Sequence, residues 1–235
     1  MSTKAKVESA LRAVANPAKA PLQERFFKTG KGEYGEGDKF ICVTVPAQRK
    51  IAKQFRDLPL GEVGKLLDES IHECRLTGLL ILVDQFRRAD ETRRSSIVEL
   101  YFEKMDRVNN WDLVDSSADK ILGAHLEDKD RALLDELAAT GHLWRQRIAI
   151  IATFHFIRQG DFRDTLRIAK KLLNHEHDLI HKAVGWMLRE VGNRDQTQLE
   201  RFLRTRYKKM PRTMLRYAIE RFPEELRQAY LRGEV

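Results

Sequence analysis

Apolar residues recur at helical spacing along the whole sequence, and in its second half the pattern itself repeats. Asp128, Asp161 and Asp195 stand 33 and 34 residues apart, each placed to cap a leucine-bearing helix. The helices before them begin near Trp111, Leu143 and His177, at a similar step. A helix pair that returns at a fixed step cannot bury its apolar face alone and must stack on its neighbours. The period therefore predicts an all-α fold, a superhelical solenoid of HEAT-like antiparallel helix pairs. No tetratricopeptide or ankyrin consensus is present. With 13 glycines and 6 prolines in 235 residues, the chain is too poor in turn formers for a β-sandwich or a low-complexity segment.

Helices are expected near 4–15, 18–29, 46–57, 60–70, 73–88, 90–107, 111–123, 128–139, 143–159, 162–174, 177–191, 195–207, 211–221 and 223–232. Residues 1–235 read as a single HEAT-like repeat domain, with 30–45 as a glycine-rich insert and connector. Only Lys39–Val45 (KFICVTV) has β character. One strand makes no sheet, so this stretch reads as an extended connector closed by Pro46.

Charge is uneven. The chain carries 43 Lys and Arg against 35 Asp and Glu, a net +8, and from Arg201 to Arg216 there are seven cations and no acid. Those seven are Arg201, Arg204, Arg206, Lys208, Lys209, Arg212 and Arg216. Such a run is a solvated face or a surface for a polyanion, a protein or a membrane, and Tyr207 among the cations favours nucleic acid. Apolar stretches such as Leu79–Val83 fall far short of the ~18 residues of a membrane span. The first residues have no apolar core of a secretory signal. Cys42 and Cys74 form no C-x-x-C pair and build no disulfide framework. A soluble, basic, intracellular protein is expected.

Three constellations carry chemistry. Around Asp178–Val191, the residues Leu179, Ile180, Ala183, Val184, Met187, Leu188 and Val191 make one apolar stripe. Lys182, Trp186 and Arg189 fall on the other side, where an indole between two cations serves either a neighbouring repeat or a phosphate backbone. In Asn110-Trp111-Asp112-Leu113-Val114-Asp115, Asn110 can cap a helix and Asp112 suits its first turn. Trp111 and Asp115 then stand one turn apart beside the Val114, Ala118, Ile121, Leu122 stripe. An edge carboxylate there either pairs with an arginine or does chemistry. Finally, Leu143-Trp144-Arg145-Gln146-Arg147-Ile148 opens a helix apolar nearly all round, through Ile150, Ile151, Phe154, Phe156 and Ile157. Arg147 within it needs an anion, either a carboxylate such as Asp115 or a phosphate.

Two patterns are set aside. Gly30–Gly35 matches G-x-G-x-x-G, but no strand precedes it, and Glu33, Glu36 and Asp38 would repel a pyrophosphate. His175, His177 and His181 lack the glutamate of H-E-x-x-H and any cysteine, and read as surface histidines rather than a zinc site. No metal or cofactor is expected.

Taken together, Trp111–Asp115, Trp144–Arg147 and Lys182–Glu190 resemble the AlkD-like DNA alkylation-repair glycosylases. Phe26–Gly30 with Glu33-Tyr34, and Pro211–Ala218, are similar to further segments of that family in the same order. The resemblance implies a superhelix of HEAT-like repeats whose basic concave face holds duplex DNA. It also implies monofunctional hydrolysis of the N-glycosidic bond of N3- and N7-alkylated purines, with the base left in the stack. By that resemblance Asp115 is the catalytic carboxylate, and Trp111 and Trp186 are the aromatic pair beside the lesion. Arg147 contacts the backbone near it. Further DNA contacts implied are Lys182, Arg189, Phe26, Thr44, Lys208, Lys209 and Arg212.

Two positions depart from the family pattern: Asn110, where some members have a second tryptophan, and Phe26, where some have tyrosine. The partner implied is double-stranded DNA carrying alkylated purines, met by a cytoplasmic, nucleoid-associated monomer working in base excision repair. The rival reading on the same scaffold is a non-catalytic, structure-specific DNA-binding HEAT-like protein.

Overall fold

The structure, a computed structural model, describes residues 2–235. Among the described residues are fifteen α-helices and no strand; Lys39 and Ile71 form one isolated parallel bridge. The fold is all-α and HEAT-like, as the period predicts. The chain divides into two compact units, one ending at Ile121 and one beginning at Leu122.

The first unit holds α1 (Lys4–Ala13), α2 (Ala20–Phe27), α3 (Val45–Gln54), α4 (Leu60–Leu67), α5 (His72–Arg88), α6 (Glu91–Glu103) and α7 (Trp111–Ser117). Its hub is α5, which packs on α1, α3, α4, α6 and α7. Leu76, Leu79, Ile81 and Leu82 of α5 are shut away from solvent. Each such side chain contributes roughly 1.5–3 kcal/mol of apolar burial. More unusual is the start of α5, where His72, Glu73 and Arg75 are buried too. Charged side chains persist there only with partners.

The second unit holds α8 (Ala132–Ala139), α9 (Leu143–Ala152), α10 (Phe154–Arg158), α11 (Arg163–Lys171), α12 (Asp178–Gly192), α13 (Gln196–Arg204), α14 (Arg212–Ala218) and α15 (Glu224–Arg232). α12 is its hub, packing on α9, α11, α13 and α14, and α8 packs on both α9 and α11. Of the predicted stripe of α12, Ile180, Ala183, Val184, Met187, Leu188 and Val191 lie in the core, while Leu179 in the first turn is half-buried.

Several predicted boundaries are corrected by local chemistry. The helix expected over 143–159 is two, because it breaks at Thr153, whose buried hydroxyl donates to the Ile150 carbonyl at 2.7 Å. Asp128 caps nothing: α8 starts at Ala132, whose N–H is taken by Asp130. Asp161 takes the Arg163 N–H while Phe162 stands at the cap of α11. Asp195 does cap α13, accepting from Gln198 N–H at 3.0 Å. The 111–123 helix changes character after Ser117, continuing as a π-helical turn over Asp119–Gly123.

Candidate functional site

In the first unit the candidate residues gather at the start of α7. Asn110 caps that helix as expected, its side-chain oxygen accepting the Trp111 N–H at 2.8 Å, while Asp112 takes the Leu113 N–H at 2.9 Å. Trp111 is half-buried. Its ring lies parallel to Phe27, 5.4 Å between centroids with an interplanar angle of 10°, and meets the edge of Phe26 at 6.0 Å. Phe26 itself is 63% exposed, so the α2 end contributes an open aromatic ring beside the indole. Asp115, one turn on, is also half-buried, and Leu113 and Val114 face the core. The spacing argument thus places Trp111 and Asp115 on the rim of α7 and its aliphatic residues inside. Thr44 is exposed at the cap position of α3.

Behind Trp111 lies a charged cluster that the sequence period does not single out. His72, at the first turn of α5, is 2% exposed. Its Nδ1 donates to Asp38 at 3.1 Å and its Nε2 to Asp112 at 2.8 Å. Asp38 also accepts from Arg75 at 2.5 Å and from the Asn110 amide at 3.2 Å. The imidazole stacks on Phe40 (4.7 Å, 24°) and lies tilted against Phe27 at 4.9 Å.

Burial alone would depress the basicity of His72. The Asp112 charge and hydrogen bond, with the Asp38 hydrogen bond, instead carry its pKa up to about 9. For Asp38 burial pushes upward, but the bond from His72 and the charge of Arg75 hold its carboxyl below the usual range. Next door, Glu73 receives three successive backbone N–H groups, from Ile41, Cys42 and Val43, at 2.7–3.3 Å. Cys42 takes a positive φ of 59° to complete that nest.

The glycine-rich insert is what delivers Asp38. Gly35 has no room for a side chain, since a Cβ there would sit 2.4 Å from the Phe27 carbonyl oxygen. The insert's own acids take its N–H groups, Glu33 that of Gly30 and Glu36 that of Gly32. A phosphate-binding loop would leave those groups open. The extended connector then runs from Asp38 through Phe40 and Val43, with the β-like residues held by Glu73 and the Lys39–Ile71 bridge in place of a sheet.

In the second unit, Arg147 is 4% exposed, and its guanidinium donates to the Leu179 carbonyl in the first turn of α12 at 2.5 Å. Arg147 thereby ties α9 to α12. Lys182, Trp186 and Arg189 share the half-buried face of α12 as predicted. Acids are interleaved with them: Lys182 pairs with Asp178 at 2.7 Å, and Arg189 with Glu220 and with Glu190. The Trp186 indole N–H donates to Glu190 at 3.3 Å, and its ring leans on Phe154 at 5.8 Å.

Nearby, His175, His177 and His181 are committed to hydrogen bonds. His175 accepts the His177 N–H, His177 caps α12, and His181 meets the His175 carbonyl. Burial first of all lowers the pKa of His175 and His177, which suits neutral rings that accept. Of the basic run, Lys208, Lys209 and Arg212 are exposed, with Lys208 over the Tyr207 ring and Arg212 donating to the Leu231 carbonyl at 2.8 Å. Among the described residues no helix is long and apolar enough to cross a membrane, and no group of three or more His, Cys, Asp or Glu could hold a metal ion.

Comparison with known proteins agrees with the fold. No protein of curated function matches the sequence. A solved structure, a predicted DNA alkylation repair enzyme from Enterococcus faecalis, superposes with a TM-score of 0.67 at 15% identity, over 89% of this chain and 97% of that one. At that identity the likeness speaks for the fold. The sequence model of a family described as DNA alkylation repair enzyme matches residues 7–222, nearly the whole chain. The protein therefore belongs to the DNA alkylation repair enzyme family.

Proposed function

We propose that the chain is a monofunctional DNA glycosylase that hydrolyses the N-glycosidic bond of N3- and N7-alkylated purines in duplex DNA. The observation that carries this reading is the rim of α7, where Trp111 and Asp115 stand one turn apart and half-exposed in a member of an alkylation-repair family. A purine alkylated at N3 or N7 is cationic and leaves as a neutral base, taking the electrons of the glycosidic bond. No general acid is required. What the site must supply is stabilisation of an oxocarbenium-like sugar and a water directed at C1′.

Asp115, as an ionised carboxylate, offsets the positive charge of the sugar and accepts a proton from the attacking water. The faces of Trp111 and Trp186 favour a cationic sugar and base by about 0.5–2 kcal/mol each. Arg147, Lys182, Arg189, Phe26, Thr44, Lys208, Lys209 and Arg212 are the proposed DNA contacts. The base is proposed to remain stacked, the resemblance of the motifs being the support for that step. No lysine nucleophile takes part, so no strand cleavage follows.

The test is release of free bases from methylated duplex, resolved by mass spectrometry. Asp115→Asn is expected to keep duplex affinity within about twofold while slowing release of 7-methylguanine by at least ~100-fold, the scale on which one transition-state contact acts. Full release by that variant overturns the assignment. A wild-type protein that binds duplex and releases nothing is instead the non-catalytic binder.

A further inference from the structure

The cluster behind Trp111 is charged, buried and expensive. Four ionisable side chains, Asp38, His72, Arg75 and Asp112, sit where a set of aliphatic residues would pack with less desolvation. In some proteins such a set serves to fix one geometry. What it fixes here is narrow. Asp112 and Asn110 are the two neighbours of Trp111 in sequence, and both are held from behind, Asp112 by His72 and Asn110 by Asp38. The indole is held from the side as well, since Trp111, Phe27, Phe40 and His72 form one continuous stack with centroid separations of 5.4, 4.8 and 4.7 Å. Backbone and ring of Trp111 therefore lead to the same imidazole.

We infer that His72, clamped between Asp38 and Asp112, is the positioning residue that fixes the first turn of α7 and with it the Trp111 ring and the Asp115 carboxylate. The glycine-rich insert serves the same device by carrying Asp38 to the far side of the imidazole. This deepens the proposed function and rests on it for the catalytic consequence, but not for the mechanical one.

The charges facing His72 are Asp38 from the insert, Asp112 from α7, and Arg75 and Glu73 from α5 itself. Phe27 of α2 and Phe40 bring none. With the imidazolium present, the Asp38, Asp112, His72 and Arg75 set is neutral. Loss of its proton leaves two carboxylates on one arginine and removes one of the two donors, so the hold on Asp112 weakens. The group's raised basicity keeps that from happening at neutral pH.

The test uses the full chain with 5-fluorotryptophan incorporated, the Trp111 resonance being assigned by its loss in Trp111→Phe. In the wild type the Trp111 fluorine signal is expected to move with an inflection near pH 9, while those of Trp144 and Trp186 do not. In His72→Gln that inflection disappears, in Asp112→Asn it moves to lower pH, and in both the Trp111 line broadens. The wild-type titration needs no substitution, so a poorly folding variant does not spoil it. In single-turnover release of 7-methylguanine at pH 7, Asp112→Asn is expected to be slower by about 10- to 100-fold with duplex Kd within twofold, as for a small misplacement of reacting groups.

A Trp111 signal flat from pH 6 to 10, or unchanged by both substitutions, overturns the positioning role. So does normal single-turnover release by Asp112→Asn beside an active wild type. If the wild type itself releases no base, the proposed function fails while the fluorine titration still decides whether His72 holds Trp111.

Discussion

A histidine enclosed as His72 is would, by burial alone, be neutral and easily lost from a core; two carboxylates reverse that. Its folded pKa of about 9 lies above the ordinary 6.5, so the stability it adds is complete below pH 6.5 and disappears as pH rises through about 9. The window is therefore pH 6.5 to 9. A shift of this size corresponds to roughly 3 kcal/mol at the low-pH end. Asp38 acts in the opposite sense, since its lowered pKa adds stability that is lost as acid protonates it, below the ordinary carboxylate range.

Urea unfolding followed at pH 6, 7.5 and 9.5 is expected to show wild type and His72→Gln converging as pH rises, the gap being widest at pH 6. A gap independent of pH would mean that folding leaves the imidazole's basicity unchanged, and a gap that widens as pH rises would mean that the imidazole is neutral in the fold. At this scale the sequence was half legible. Trp111, Asp115 and the Asn110 cap follow from spacing along one helix. Asp38 and His72 meet across 34 residues through an insert whose course no local rule dictates. The available signal was His72-Glu73-Cys74-Arg75 opening an otherwise apolar helix, which demands partners without naming them.

At the scale of elements, apolar period set the helices well and caps set them poorly. Of the two hubs, α12 was visible as a long apolar stripe and α5 as the helix expected near 73–88, because packing of apolar side chains is what holds a helix in a domain. The break at Thr153, where a hydroxyl bonds the carbonyl three residues back, and the π-helical turn after Ser117 leave no mark on the apolar period and were not. Glycines at helix contacts show the same limit. Gly185, beside Trp186 on α12, reads from propensity alone as a position where alanine would help by about 1 kcal/mol. In the fold a Cβ there would lie 2.5 Å from the Met214 carbonyl oxygen and 2.5 Å from the Tyr217 Cβ. Neither atom can swing aside as the tip of a long side chain could. Gly185→Ala is therefore expected to force α12 and α14 apart and destabilise the protein by roughly 1–3 kcal/mol, read as a lowered thermal midpoint. An unchanged or raised midpoint would show that the two helices have slack.

For the molecule as a whole, a net charge of +8 attracts any polyanion, and the question is which cations meet it. Cations that already have an acid or a carbonyl as partner in the fold release fewer counterions when they meet a phosphate. Arg147 is buried on the Leu179 carbonyl, and Lys182 and Arg189 face Asp178, Glu190 and Glu220. The run from Arg201 to Arg216 differs, with Arg201, Arg204, Lys208, Lys209, Arg212 and Arg216 all exposed. Each phosphate neutralised by such a residue adds about 0.9 to the slope of log K against log salt concentration. Lys208→Gln with Lys209→Gln is therefore expected to weaken binding to methylated and unmodified duplex equally, and to reduce that slope by roughly 2. The base-release rate on saturating DNA should hardly change, because these side chains hold the backbone and take no part at the sugar. If affinity and slope both survive, the duplex lies against another face. If release at saturation falls while affinity holds, the basic run acts on the chemistry rather than on docking.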